Sequence, residues 1–127
     1  MEKASVSEEE IRVMENYLKG YAFHEKMTEM DEISRRFFEG GIVGLGEMDI
    51  SLGRVRQFEI RHFLMGMENS MEKLFLYYHY VKGDSVERCA ILLGVSRSTA
   101  FRLRQRALAL AVIHKRNKIA RDAGEGN

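Results

Sequence analysis

The stretch from Cys89 to Leu108, "CAILLGVSRSTAFRLRQRAL", constrains the fold of this chain more than any other feature. Gly94 separates two segments that favour helix, and glycine readily adopts the positive φ that ends a helix in a tight turn. Ser96 follows two residues later, where its hydroxyl can accept backbone N–H groups at the start of a new helix. The second segment has small and apolar residues at helical spacing, Ala100, Leu103, Ala107 and Leu108. The pattern therefore predicts two helices joined by a tight turn, the helix-turn-helix arrangement.

The opposite face of the predicted second helix has side chains suited to DNA. Arginine can donate two hydrogen bonds to guanine, serine can bond either way, and an aromatic edge can contact a thymine methyl group. Near the start of a recognition helix such side chains reach base edges. The predicted base contacts are Arg97, Ser98, Phe101, Arg102 and Gln105. The predicted phosphate contacts, which lie at the helix start, to its side or farther along, are Ser96, Thr99, Arg104, Arg106, Lys115, Arg116 and Lys118.

Charge is distributed unevenly along the chain, although the formal net charge is only +1. Residues 1–50 contain six basic and twelve acidic residues, whereas residues 51–127 contain fourteen basic and seven acidic ones. Eight Lys or Arg residues and no acidic residue lie between Ser96 and Arg121. This asymmetry is typical of a protein that contacts a polyanion with one end.

Composition favours helix nearly everywhere, because proline is absent and Met, Leu, Glu, Arg and Lys are abundant. Ser7 and Glu10 form a capping-box pattern, so a helix is expected to begin there. Four glycines within residues 40–46 are expected to make a flexible break rather than a phosphate loop, since no Walker lysine with Ser or Thr follows. We therefore predict an all-α fold, in which an N-terminal helical, coiled-coil-like dimerisation region precedes the helix-turn-helix.

A heptad-like pattern runs through the middle of the chain in steps of four and three. Its residues are Ile60, Leu64, Met67, Met71, Leu74, Tyr78 and Val81. Such a seam would keep one face of a long helix against a partner helix. Part of this surface is predicted to be a homodimer interface. The alternative is that the N-terminal helices of the same chain cover all of it.

These patterns divide the chain into three regions. Residues 1–82 are the predicted dimerisation or interaction region. Residues 83–114 are the predicted helix-turn-helix, in which Gly83 ends the preceding helix and Ser85 caps the next one. Residues 115–127 are predicted to be a basic, flexible tail.

The segment "SVERCAILLGVSRSTAFRLRQRAL" resembles the fourth region of the sigma-70 class of initiation factors. The shared pattern is an alanine near the end of one helix, then Leu-Gly-apolar-Ser, then a basic recognition helix that ends in Ala-Leu. Cys89 stands where the family pattern usually has isoleucine. This resemblance covers about residues 68–111 and implies a DNA-binding module found in many regulators.

The wider layout is similar to small phage-encoded late-gene regulators of the ArpU and RinA type. It combines acidic N-terminal helices, a glycine-rich break, a long heptad helix and a C-terminal sigma-like module. The resemblance implies a transcription activator at a phage or prophage promoter. It does not imply a complete sigma factor, because nothing in the N-terminal half resembles the region that opens the promoter.

Three classes of function stay open. The first is a dimeric regulator that reads double-stranded DNA. The second is a phage small terminase subunit that binds packaging-site DNA, although there the DNA-binding module usually comes first. The third is a sigma-like module that contacts RNA polymerase without reading DNA, against which the number of outer arginines argues.

Other classes find little support. The four histidines are dispersed and no HExxH, nucleophile elbow or cysteine cluster is present, so we expect no enzyme, metal or cofactor. Cys89 has no partner for a disulfide, which suits a reducing compartment. No apolar stretch approaches the roughly 20 residues that span a bilayer, and the acidic start is unlike a signal peptide. We therefore expect a cytoplasmic protein with no membrane partner. The resemblance to phage regulators implies that the cell is a bacterial host.

Overall fold

The computed structural model describes residues 5–38 and 47–124, with side chains described for residues 5–33 and 52–124. The described part is helical and contains no strand, which confirms the predicted all-α fold. In chain order the helices are α1 (Glu8–Phe38), α2 (Glu47–Met65), α3 (Met71–Leu76) with a π-helical continuation (Tyr77–Val81), α4 (Val86–Leu93) and α5 (Arg97–Gly124). The predicted glycine-rich break at residues 40–46 lies outside the described residues.

Helix α1 begins with the predicted capping box. The hydroxyl of Ser7 accepts the backbone N–H of Glu10 at 3.1 Å, and the Glu10 carboxylate accepts the N–H of Ser7 at 3.0 Å. These bonds satisfy donors that have no partner inside the helix. Met14 and Leu18 follow at helical spacing and are buried, so this helix directs one apolar stripe into the core.

All five helices and the π-helical segment contribute to one apolar core. Its fully buried large apolar side chains are Leu18, Leu64, Phe75, Leu76, Leu103 and Leu108. Each such side chain contributes roughly 1.5–3 kcal/mol by its removal from water. The buried Gln57 joins α2 to α1, since its amide donates to the carbonyl oxygen of Tyr21 at 3.1 Å and to Glu25 at 2.7 Å.

The prediction of one long heptad helix is wrong. Helix α2 ends and the chain turns through residues 66–70 before α3 begins. The hydroxyl of Ser70 caps α3 by accepting the N–H of Lys73 at 3.2 Å. The Lys73 ammonium donates to the carbonyl oxygens of Met65 and Met67 at 3.0 and 3.1 Å. The break is therefore stabilised by partners for the polar groups at both new helix ends.

The interruption divides the seven seam residues into three groups. The buried ones are Ile60, Leu64 and Met67. The half-buried ones, packed against the core, are Tyr78 and Val81. Met71 and Leu74 remain 43% and 46% exposed. The seam is therefore not one continuous stripe, and only these last two residues still present a large apolar area to solvent.

The predicted boundary at residue 115 differs from the structure, because α5 continues without a break to Gly124. No glycine or proline interrupts residues 97–123, so nothing in the local sequence ends the helix earlier. The basic residues predicted to lie in a flexible tail therefore stand on the same helix as the predicted base contacts.

Candidate nucleic-acid interface

A turn of three residues joins α4 to α5. Gly94 has a φ of 71°, and the N–H of Val95 donates to the carbonyl oxygen of Ala90 at 3.0 Å. Only glycine adopts such a left-handed conformation at little cost, so the residue type and the turn agree. The hydroxyl of Ser96 accepts the N–H of Thr99 at 3.1 Å and donates to the Thr99 hydroxyl at 2.9 Å. These two predicted phosphate contacts thus form the N-terminal cap of α5.

Helix α5 has one buried and one exposed face over its first half. The residues predicted to face inward are all fully buried: Ala100, Leu103, Ala107 and Leu108. The five predicted base contacts are all exposed. Ser98, Phe101, Arg102 and Gln105 share one side of the helix by their spacing of three, one and three residues. Arg97 lies on the flank of this face.

The side chain of Arg97 is held between two helices. Its Nε donates to the Glu87 carboxylate of α4 at 2.9 Å, and its guanidinium carbon lies 5.2 Å from the ring centre of Phe101. The hydrogen bond from Arg97 lowers the pKa of Glu87. Both side chains of the ion pair are more than half exposed, so the pair contributes little to stability. It does restrict the directions in which this arginine can reach.

Arg102 stands at the middle of the exposed face with a different environment. Its Nη2 donates to the hydroxyl of Thr99 at 3.3 Å, which is a neutral partner. Among the described side chains it forms no ion pair, so its positive charge is directed at solvent. Of the predicted base contacts, Arg102 is therefore the arginine whose charge is most available to a ligand.

Two of the predicted phosphate contacts are already paired with carboxylates. Arg106 donates to Glu72 of α3 at 2.7 Å, and the Glu72 side chain is only 17% exposed. Arg116 donates from Nη2 to both carboxylate oxygens of Glu10 at 2.7 and 2.6 Å, which ties the far part of α5 to the start of α1. A phosphate would have to compete with these carboxylates. Sequence reasoning missed both pairs, because the partners lie 34 and 106 residues apart.

The remaining cationic residues differ in exposure. Arg104 is half-buried, and its Nε is buried without a hydrogen-bond partner in the described part of the chain. Burial and the hydrogen bond to Glu15 raise the pKa of Tyr80 in the π-helical segment. The nearby charge of Arg104 acts in the opposite direction and lowers it. Lys115 is exposed and Lys118 is half-buried. Lys115 is therefore better placed than Arg104 to meet a polyanion.

The described residues contain no group of three or more His, Cys, Asp or Glu side chains that could hold a metal ion. Within the same described ranges, no helix is both long enough and apolar enough to cross a bilayer. The exposed face of α5 is convex and carries hydroxyl, amide, aromatic and guanidinium groups. Such a face can form hydrogen bonds and charge contacts.

Comparison with known proteins finds no matching family model, no similar curated protein and no similar solved structure.

Proposed function

We propose that this protein is a transcription regulator that binds specific sequences of double-stranded DNA. In this proposal α4 and α5 act as a helix-turn-helix, and the first half of α5 enters the major groove. The observation that carries the proposal is the exposed face of Ser98, Phe101, Arg102 and Gln105, directly after a capped three-residue turn. Guanidinium, amide, hydroxyl and aromatic groups are the ones that distinguish base edges there.

The charge of α5 supports the same proposal. The helix carries eight Lys or Arg residues, and Asp122 near its end is its only acidic residue. Cationic side chains along a groove-binding helix supply affinity that does not depend on sequence, because they release counterions from the phosphates. Lys115 and Lys118 would serve this role, whereas Arg106 and Arg116 would first have to leave Glu72 and Glu10.

The finer proposal is a homodimer. One recognition helix reads only a few base pairs, so two copies are needed for the usual affinity of a specific regulator. The exposed Met71 and Leu74 of α3 are apolar residues available to a second copy. A symmetric dimer predicts an inverted repeat with half-site centres roughly 34 Å, or a multiple of it, apart.

The most specific part of the proposal is the biological role. We propose a late-gene activator of a phage or prophage that also contacts RNA polymerase. It rests on the sequence resemblance of α4 and α5 to the fourth sigma region and on the order of the regions along the chain. A small terminase subunit stays the alternative, and native mass separates the two. A dimer favours regulation, whereas a ring of eight or more copies favours packaging.

The test is a selection of fragments bound by the full-length protein from bacterial and phage genomic DNA. We expect a common sequence to be enriched and to compete at least about a thousandfold better than random duplex at physiological salt. Arg102→Ala should relax the enriched sequence at one base position and lower the preference for it by about 1–3 kcal/mol. Arg121→Gln, which removes a cation from the last turns of the same helix, is the matched control and should retain it. Equal binding to all duplexes by the unaltered protein would refute sequence-specific reading.

A further inference from the structure

A cleft of about 470 Å³ lies where the first turns of α1 meet the second half of α5. Its apolar walls come from three helices and consist of Val13, Met14, Tyr17, Phe63, Val112 and Ile119. Three of these side chains, Val13, Tyr17 and Ile119, remain 46%, 42% and 58% exposed. The volume falls within the range of small-molecule sites, about 300–1,000 Å³. None of the predicted base contacts lines this cleft, whereas two predicted phosphate contacts, Lys115 and Arg116, do.

The rim of the cleft carries four charged side chains, three of which are neutralised locally. Glu9 forms an ion pair with Arg12 on the same helix. Glu10 forms its ion pair with Arg116 across the cleft. Lys115 is exposed and forms no ion pair among the described side chains. The rim therefore presents one uncompensated charge, and it is positive.

The two ends of the cleft differ in polarity. At the α1–α2 end, burial and the nearby charge of Glu59 raise the pKa of Tyr17, so this end disfavours an anion. On the α5 wall, Lys115 stands between Val112 and Ile119, about one helical turn from each. An anionic group is therefore favoured beside Lys115 and an uncharged group beside Tyr17.

We propose that the cleft binds a small apolar carboxylate, with the hydrocarbon body against Val13, Phe63 and Val112 and the carboxylate on the Lys115 ammonium. Packing of the ligand's hydrocarbon chain in the cleft removes apolar surface of the ligand and of the protein from water. This burial contributes a binding free energy of roughly 25 cal/mol per Å². The ligand carboxylate accepts a charge-assisted hydrogen bond from Lys115 at the entrance of the cleft, where the lysine keeps partial contact with water. The proposal stands on the residues of the cleft and does not depend on DNA binding.

The test is a calorimetric titration of the full-length protein with octanoate and with 1-octanol, which has the same body without the charge. Octanoate should bind with one site per chain and more tightly than octanol. Lys115→Gln should weaken octanoate about three- to tenfold and leave octanol unchanged. Arg121→Gln removes a cation of the same helix that does not line the cleft, and it should change neither affinity.

A second variant separates loss of the site from loss of the fold. Val13 is nearly half exposed, so Val13→Trp should preserve helix content while its larger side chain fills the cleft. Binding of both probes should then fall at least tenfold. The proposal is overturned if octanol binds as tightly as octanoate, or if Val13→Trp folds and still binds. It is also overturned if octanoate binds only after dilution dissociates a dimer, because the cleft would then belong to an interface with a second copy.

Discussion

The carboxylate of Glu87 accepts the Nε–H of Arg97 at 2.9 Å, which ties the first residue of α5 to α4. This bond uses one donor of a planar group that has five, so the terminal nitrogens keep the capacity for a bidentate bond. The ring of Phe101 lies beneath the same guanidinium. Glu87 and Phe101 together therefore fix the plane in which Arg97 would meet a base edge.

The first prediction concerns the removal of this carboxylate charge. Glu87→Gln should raise affinity for random duplex, because one negative charge near the phosphates is lost. The same change should lower the preference for the selected site, because Arg97 is then less constrained. Fluorescence anisotropy on both duplexes at several salt concentrations measures the two effects. Glu29→Gln removes the same charge from an exposed position on α1 and should change neither. An unaltered preference in Glu87→Gln would show that Glu87 does not position Arg97.

The second prediction separates base contacts from phosphate contacts. Arg102→Ala should cost about 1–3 kcal/mol on the selected site, relax preference at one base position and leave random duplex less affected. Lys115→Ala should weaken all duplexes alike and reduce the salt slope by about one. Equal losses on specific and random duplex in both variants would contradict this division of roles.

The third prediction concerns a partly buried hydrogen bond that joins the π-helical segment to α1. The Tyr80 hydroxyl donates to Glu15 at 2.7 Å, and the tyrosine is 5% exposed. Tyr80→Phe should lower the free energy of unfolding by about 1–2 kcal/mol in urea titrations, because Glu15 loses a partner in a partly buried position. Tyr78→Phe alters a half-buried neighbour for which no hydroxyl bond is found among the described residues. This control should differ little from the unaltered protein.

The fourth prediction tests the surface assigned to a second copy. Met67 is buried, so Met67→Glu should unfold the protein whatever its oligomeric state. Leu74 is 46% exposed, so Leu74→Glu should preserve helix content by circular dichroism and convert a dimer into a monomer in analytical ultracentrifugation. Ile91→Glu, at a residue 71% exposed on α4, is the control and should leave the dimer intact. A monomeric unaltered protein at micromolar concentration would refute the dimer.

The fifth prediction is a loss of stability at acid pH. The hydrogen bond from Arg106 lowers the pKa of Glu72, and bonds from the Ser7 N–H and Arg116 lower the pKa of Glu10, from an ordinary value of 4.5. A carboxyl group with a lowered folded pKa stabilises the protein above its unfolded pKa, and this contribution is lost as pH falls through the folded pKa. The melting temperature should therefore fall below about pH 4.5 and change little just above it. Glu72→Gln should make this fall shallower, and an equally steep fall in that variant would contradict the assignment.

Capping residues and glycines in the sequence were sufficient to predict the helix ends at which they stand. Ser7 with Glu10, Ser85 and Ser96 each cap a helix where predicted, and Gly83 and Gly94 both have positive φ. These features depend on neighbours within four residues. They are therefore readable without knowledge of the tertiary structure.

The break after α2 was missed because the spacing of its apolar residues does not change across the turn. Leu64, Met67 and Met71 keep steps of three and four, as they would in an unbroken helix. Two residues in the sequence could have indicated the break. Gly66 can end one helix, and Ser70 can cap the next. The ion pairs of Arg106 and Arg116 had no local signal at all, since packing of distant helices creates them.

The unbroken length of α5 has a mechanical consequence. Arg97 and Arg116 lie 19 positions apart on one helix, which at 1.5 Å per residue is about 28 Å. Two ion pairs tie this one continuous helix to its neighbours, Arg97 to Glu87 of α4 and Arg116 to Glu10 of α1. We therefore expect a change that breaks the Arg116–Glu10 pair to act on a helix that also carries the exposed face around Arg102.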